Sequence, residues 1–122
     1  MTAAETEVRE LRAQLDPAMA ACGHAIASDL DDDAFAGRLR RCLMTLSGGD
    51  EPVGFNYACT KKPAGDYGVT LVWQVGGKEP PPGTPEIFAA HGENETLAFL
   101  RAAEKMLKDN YYRTLLFSAV RS

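Results

Sequence analysis

Two stretches of alternating hydrophobicity around a short polar loop constrain the fold of this chain more than any other feature. From Val53 to Thr60 the odd positions are apolar or aromatic and the even ones small or polar. From Tyr67 to Val75 the odd positions are again large and apolar: Tyr67, Val69, Leu71, Trp73 and Val75. Side chains alternate between the two faces of a strand, so each run reads as a strand with one buried face. The residues between them, from Lys61 to Asp66, make the pair an antiparallel hairpin. Partners across such a pair share a face, so paired numbers must sum to an even number if both apolar sets face the core. The connecting loop is then odd in length. A loop of Lys61 to Gly65 sets Cys59 opposite Tyr67, Tyr57 opposite Val69 and Phe55 opposite Leu71.

A hairpin alone is too small to hide its apolar face, and the rest of the chain supplies helices to cover it. Ala4, Val8, Leu11 and Leu15 form a helical stripe over residues 3–15. Asp16-Pro17 resembles a cap followed by a first-turn proline, which predicts a break or kink and a second helix from Pro17 to about Ser28. A third helix is predicted over 31–47. Asp31, Asp32 and Asp33 stand at its start, where the helix dipole favours acids, and Phe35, Leu39, Cys42, Leu43 and Leu46 form its core stripe. Gly48-Gly49 ends it.

Beyond the hairpin, the prolines of Gly76 to Gly83 predict an extended loop. Thr84-Pro85-Glu86 reads as the start of a short helix that Gly92 stops, with a short strand through Ile87 and Phe88 as the alternative. A helix follows from Asn94 to about Asp109, with Leu97, Leu100, Ala103 and Leu107 buried and Phe99 and Met106 widening the stripe. Tyr111 to Val120 reads as a final strand. The predicted class is α+β: N-terminal helices packed with a small antiparallel sheet of three strands, a central hairpin and a C-terminal helix–strand unit. We expect one domain over residues 1–122, helical over 1–47.

Charge limits function. The chain has 122 residues and a net charge of −4, which disfavours an extended nucleic-acid ligand. The charge is segregated: residues 1–33 carry eight acids against Arg9 and Arg12, a balance of −6, while basic islands stand at Arg38 to Arg41, Lys61-Lys62 and Lys78. No run reaches the roughly 20 apolar residues of a membrane span, and no signal peptide is evident at the start. The three cysteines, Cys22, Cys42 and Cys59, are an odd number without a Cys-x-x-Cys pair, which predicts reduced thiols in the cytoplasm.

Catalytic motifs are missing. Cys22 and His24 would point to opposite sides of a helix, so no metal site and no cofactor is expected. There is no Gly-x-Ser-x-Gly elbow, and Gly76-Gly77-Lys78 lacks the rest of a phosphate loop. His91 is the best single acid–base candidate, though a histidine in the last turn of a helix is also simply favourable there. The chain thus leans toward a non-enzyme. The leading expectation is a binding protein that binds or blocks another macromolecule, in the manner of an inhibitor, immunity protein, adaptor or phage-type antagonist. Glu5, Glu7, Glu10, Asp31, Asp32 and Asp33 would face a protein partner. The alternative is a site for a nucleotide or other anionic small molecule, built from Arg41, Tyr57, Lys61, Lys62, Tyr67, Trp73, Lys78 and His91. The apolar N-terminal stripe and the two-faced final strand predict a homodimer.

Overall fold

A computed structural model describes residues 2–21, 31–44, 54–74, 82–109 and 112–113. Its elements run in the order α1 (Ala3–Ala21), α2 (Asp32–Met44), β1 (Gly54–Lys61), β2 (Tyr67–Gln74), β3 (Ile87–Gly92) and α3 (Glu95–Lys108). The strands form an antiparallel sheet in the order β1-β2-β3, and α3 packs on its apolar face. The α+β class predicted from the sequence is the class observed.

The hairpin has the parity the alternation requires, but its register lies one pair further along. Lys61 stands opposite Tyr67, Cys59 opposite Val69, Tyr57 opposite Leu71 and Phe55 opposite Trp73. The loop is Lys62 to Asp66, closed by the Lys62 N–H donating to the Asp66 carbonyl at 2.7 Å. Parity fixes which face is buried and leaves sliding by two residues open. Turn chemistry decides it: Gly65 takes φ +97°, and its N–H bonds the Lys62 carbonyl at 2.9 Å.

The segment expected as a short helix, with a short strand through Ile87 and Phe88 as the alternative, is the strand β3. Phe88, Ala90 and Gly92 point inward while Ile87, Ala89 and His91 point outward, a strand's period of two. Thr84-Pro85-Glu86 imitates a helix start, yet pairing with β2 from Val72↔Ile87 to Tyr67↔Gly92 satisfies this backbone instead. His91 therefore lies on a strand rather than in a helical turn.

Pro17 also corrects the reading: α1 continues through it to Ala21. Proline removes one helical hydrogen bond, but Pro17 is exposed and its ring turns to water, while Val8, Leu11 and Leu15 anchor the preceding turns in the core. Residues 22–28 of the expected second helix lie outside the described residues. So do 45–47 of the third, whose described part is α2, with Phe35, Leu39 and Leu43 buried as its stripe requires. Of the final strand, only Tyr112 and Arg113 are described. They form a helical turn, the Arg113 N–H donating to the Asp109 carbonyl at 3.1 Å, so the sheet's third strand is β3.

The start of α3 follows its sequence. The Asn94 side chain accepts the Leu97 N–H at 2.8 Å, and the amphipathic stripe then buries Leu97, Leu100, Ala103 and Met106 under the sheet. Trp73 and Phe88 meet Tyr112 in the same core, with ring centroids 5.2 and 5.5 Å apart.

Candidate functional site

The three helices of the described residues begin around the same cleft. Around this cleft of about 400 Å³ stand Thr2 just before α1, Glu5 of α1, Asp32 and Asp33 of α2, the α3 cap Asn94 and Thr96 of α3, with Glu93 beside them. Local folding rules put polar and acidic residues there, because the first turn of a helix leaves backbone N–H groups without intrahelical partners. Thr2 and Glu5 exchange bonds in the manner of a capping box: the Glu5 N–H donates to Thr2 Oγ1 at 3.1 Å, and the Thr2 N–H to Glu5 Oε2 at 3.3 Å. Asp31 accepts the Ala34 N–H at 2.7 Å and so caps α2. Thr96 Oγ1 donates to Asp33 Oδ1 at 2.5 Å and ties the starts of α2 and α3 together.

A second cleft, of about 370 Å³, adjoins the first and shares Asp33, Asn94 and Thr96 with it. Tyr57, Tyr67 and Phe99 form its aromatic side, and Arg40 and Glu95 its charged side. The Arg40 guanidinium lies over the Tyr57 ring, 4.8 Å from the centroid. The Tyr57 hydroxyl donates to Glu95 Oε1, and the ring meets Phe99 edge-on at 5.8 Å. Burial pushes the Tyr57 phenol well above its ordinary value of 10, and the hydrogen bond and charge of Glu95 push it further. The phenol therefore stays protonated, and the cleft offers stacking surface, fixed hydroxyls and carboxylates.

Net charge at this end can be weighed. Glu5, Asp32, Asp33, Glu93 and Glu95 contribute five negative charges. Arg12, paired with Asp32 at 2.7 Å, and Arg40 offset two of them. Three helix N-termini contribute about half a positive charge each. The end remains negative.

The structure divides the sequence candidates. Tyr57 and Tyr67 share the aromatic cleft. Asp32, Asp33 and Glu5 share the carboxylate cleft, whereas Glu7 is turned to Arg101 and Glu10 lies exposed further along α1. Lys61 sits 5.8 Å above the Tyr67 ring. Lys62 lies beside His91, Nζ to Nε2 at 3.3 Å, next to Gly68. Arg41 is exposed on α2, Trp73 is in the core at 7% exposure, and Lys78 lies outside the described residues. Glu93, Glu95 and Thr96 were not singled out from the sequence, and Arg40 was read only as part of a basic island, with its neighbour Arg41 as the site candidate. Arg40 follows core Leu39 and stands four residues after buried Ala36, so it flanks the stripe and reaches the sheet. Glu93, Glu95 and Thr96 belong to a capping segment, which reads as structure alone.

Among the described residues, no group of three or more His, Cys, Asp or Glu side chains is placed to hold a metal ion, and no helix is long and apolar enough to cross a membrane. Comparison with protein-family models, curated proteins and solved structures gives no match.

Proposed function

We propose that this chain is a binding protein that captures or blocks a macromolecule presenting a basic segment. The observation that carries this reading is the gathering of carboxylates on two adjoining clefts, where they outnumber the cations and outweigh the helix N-termini. Carboxylates beside Tyr57, Tyr67 and Phe99 match the chemistry of an arginine or lysine side chain, which takes charge from the acids and packs its stem on the rings. The acidic field also speeds encounter with a basic partner. Its action would be by occupancy, in the cytoplasm, where the thiols stay reduced.

A labelled peptide rich in arginine and lysine, followed by fluorescence anisotropy against an acidic peptide of equal length, tests the reading. The basic peptide is expected to bind, to weaken with added salt, and to weaken several-fold in a chain carrying Asp33→Asn and Glu93→Gln. No binding, or binding indifferent to both substitutions, would overturn it.

The approach of Lys62 to His91 favours a second reading, an anionic small molecule held on the outer face of the sheet. Inorganic phosphate or a nucleoside triphosphate would then raise the melting temperature, and Lys62→Ala would abolish the rise. An unchanged melting temperature with both ligands would remove this reading and leave the first intact.

A further inference from the structure

The two edges of the sheet are treated differently. The Trp73 N–H donates to the Glu86 carbonyl at 2.7 Å, which fixes the phase of the β2–β3 ladder. In that phase the backbone groups of Ile87, Ala89 and His91 point away from the sheet. Side chains of α3 reach over this edge: Lys105 Nζ donates to the Ala89 carbonyl at 2.8 Å, and Arg101 Nη1 to the His91 carbonyl at 2.7 Å. Two cations thus occupy two of the three outward acceptors that another strand would need.

At the opposite edge α2 lies against β1, with Arg40 over the Tyr57 ring, but no described side chain bonds the strand's outward backbone groups. The bond from the Lys62 N–H to the Asp66 carbonyl fixes the phase of β1–β2, so Phe55, Tyr57, Cys59 and Lys61 turn their N–H and C=O groups outward. Natural sheets protect an edge with proline, bulges or charges. β1 has an unbroken eight-pair register, no proline, and a single charge at its last residue.

The geometry points to β1 as a strand-pairing interface whose occupant is a second copy of β1, antiparallel about a twofold axis at Ala58. In this arrangement Tyr57 pairs with Cys59 of the second copy, Phe55 pairs with Lys61, and all outward backbone groups are matched. Self-complementarity favours this occupant. The two Lys61 side chains stand at opposite ends, roughly 20 Å apart at a strand's rise, well beyond the screening length of about 8 Å in physiological salt. At the centre Ala58 meets Ala58, flanked by Asn56 against Thr60, all exposed and uncharged. The pairing is made by the backbone of β1, of which Tyr57 alone also lines a cleft, and it does not rest on the proposed function.

Ala58 at the axis is a non-hydrogen-bonded pair with Cα atoms about 4.5 Å apart, close enough for a disulfide. Light scattering of the full chain should give twice the 13.2 kDa monomer mass. Ala58→Lys, which sets two ammonium groups face to face, should return the monomer with an unchanged circular dichroism spectrum. Ala58→Cys, oxidised with glutathione disulfide, should give a covalent dimer above the background of the parent chain. Ala89→Cys, exposed on the protected strand, should not. A monomeric parent chain, a dimer indifferent to Ala58→Lys, or cross-linking through Ala89→Cys and not Ala58→Cys would each overturn the proposal.

Discussion

Glu7 and Arg101, 94 residues apart, meet side by side: Arg101 Nη2 donates to Glu7 Oε1 at 2.7 Å and Nε donates to Oε2. The pair bolts α1 to α3, and the same guanidinium reaches the His91 carbonyl of β3. Both side chains are more than a third exposed, so water screens the pair and its contribution is about 1 kcal/mol or less despite the two-pronged geometry. Arg101→Ala should cost more than Glu7→Gln, because it also uncovers the β3 edge. Urea unfolding of both single variants and the double variant would isolate the coupling.

The same pair sets an acid dependence. The hydrogen bonds from Arg101, more than its charge, hold the Glu7 carboxyl below its ordinary value of 4.5, against the opposing effect of burial. A carboxyl depressed in the folded state stabilises the fold above its unfolded value and loses that contribution as pH falls through the folded value. Wild type should therefore exceed Glu7→Gln in stability at neutral pH, and the gap should close below pH 4.5. A gap constant across that range would show that the charge of Glu7 contributes nothing.

Tyr57 behaves in the opposite sense. Its phenol is raised in the folded state by burial first and Glu95 second, so its contribution is complete below the ordinary value of 10 and is lost as pH climbs beyond it. Tyr57→Phe keeps the ring under Arg40 and against Phe99 but removes the bond to Glu95. It should cost about 0.5–1.5 kcal/mol at neutral pH. The loss should shrink under alkaline conditions, where wild type bears the burden of ionising a buried phenol. Melting temperatures of both chains across that range supply the check.

These sites show what the sequence makes legible. Alternation identified the hairpin and its buried face, because a one-residue slip would send Val69 and Leu71 into water. A two-residue slip exposes nothing, so register rested on the Lys62–Asp66 turn, whose geometry alternation does not encode. β3 ranked only as the alternative to a short helix for a related reason. Thr84-Pro85-Glu86 carries a local helix signal, while the evidence for a strand lies in its pairing with β2, a partner distant in sequence. The acids of the first helices were legible as charge, and their meeting with Glu93 and Glu95 was not. That juxtaposition depends on how α3 docks, and only packing decides it.

Tyr112 joins the chain's only tryptophan in the core, and its hydroxyl donates to the Pro85 carbonyl at 2.5 Å. Tyr112→Phe removes that bond and should cost about 1 kcal/mol. Tyr112→Ala also leaves a cavity beside Trp73 and Phe88 and should cost about 3–5 kcal/mol. Because Trp73 lies against the altered ring, its fluorescence should shift to the red in the alanine variant and stay in place in the phenylalanine variant. Equal destabilisation by both would mean the hydroxyl, not the ring, is the anchor.

Gly92 and Gly68 make a contrast within one sheet. A methyl group built on Gly92 would stand 2.8 Å from the backbone nitrogen of Ala98 and 3.1 Å from Leu97 Cγ. The first of these is main chain inside α3, which cannot step aside without moving the helix and its cap at Asn94. Gly92→Ala should therefore destabilise by about 1–3 kcal/mol, the usual cost of overpacking. The nearest neighbours of a methyl on Gly68 would be the His91 ring at 3.4 Å and the Lys62 side chain at 3.6 Å, both ordinary contacts with exposed groups. Gly68→Ala should be neutral or slightly stabilising, since alanine restricts the unfolded chain more than glycine does. Denaturant midpoints of the two variants decide the matter: a cost at Gly68 equal to that at Gly92 would mean that close approach of α3 to β3 is not what requires a glycine at the end of the strand.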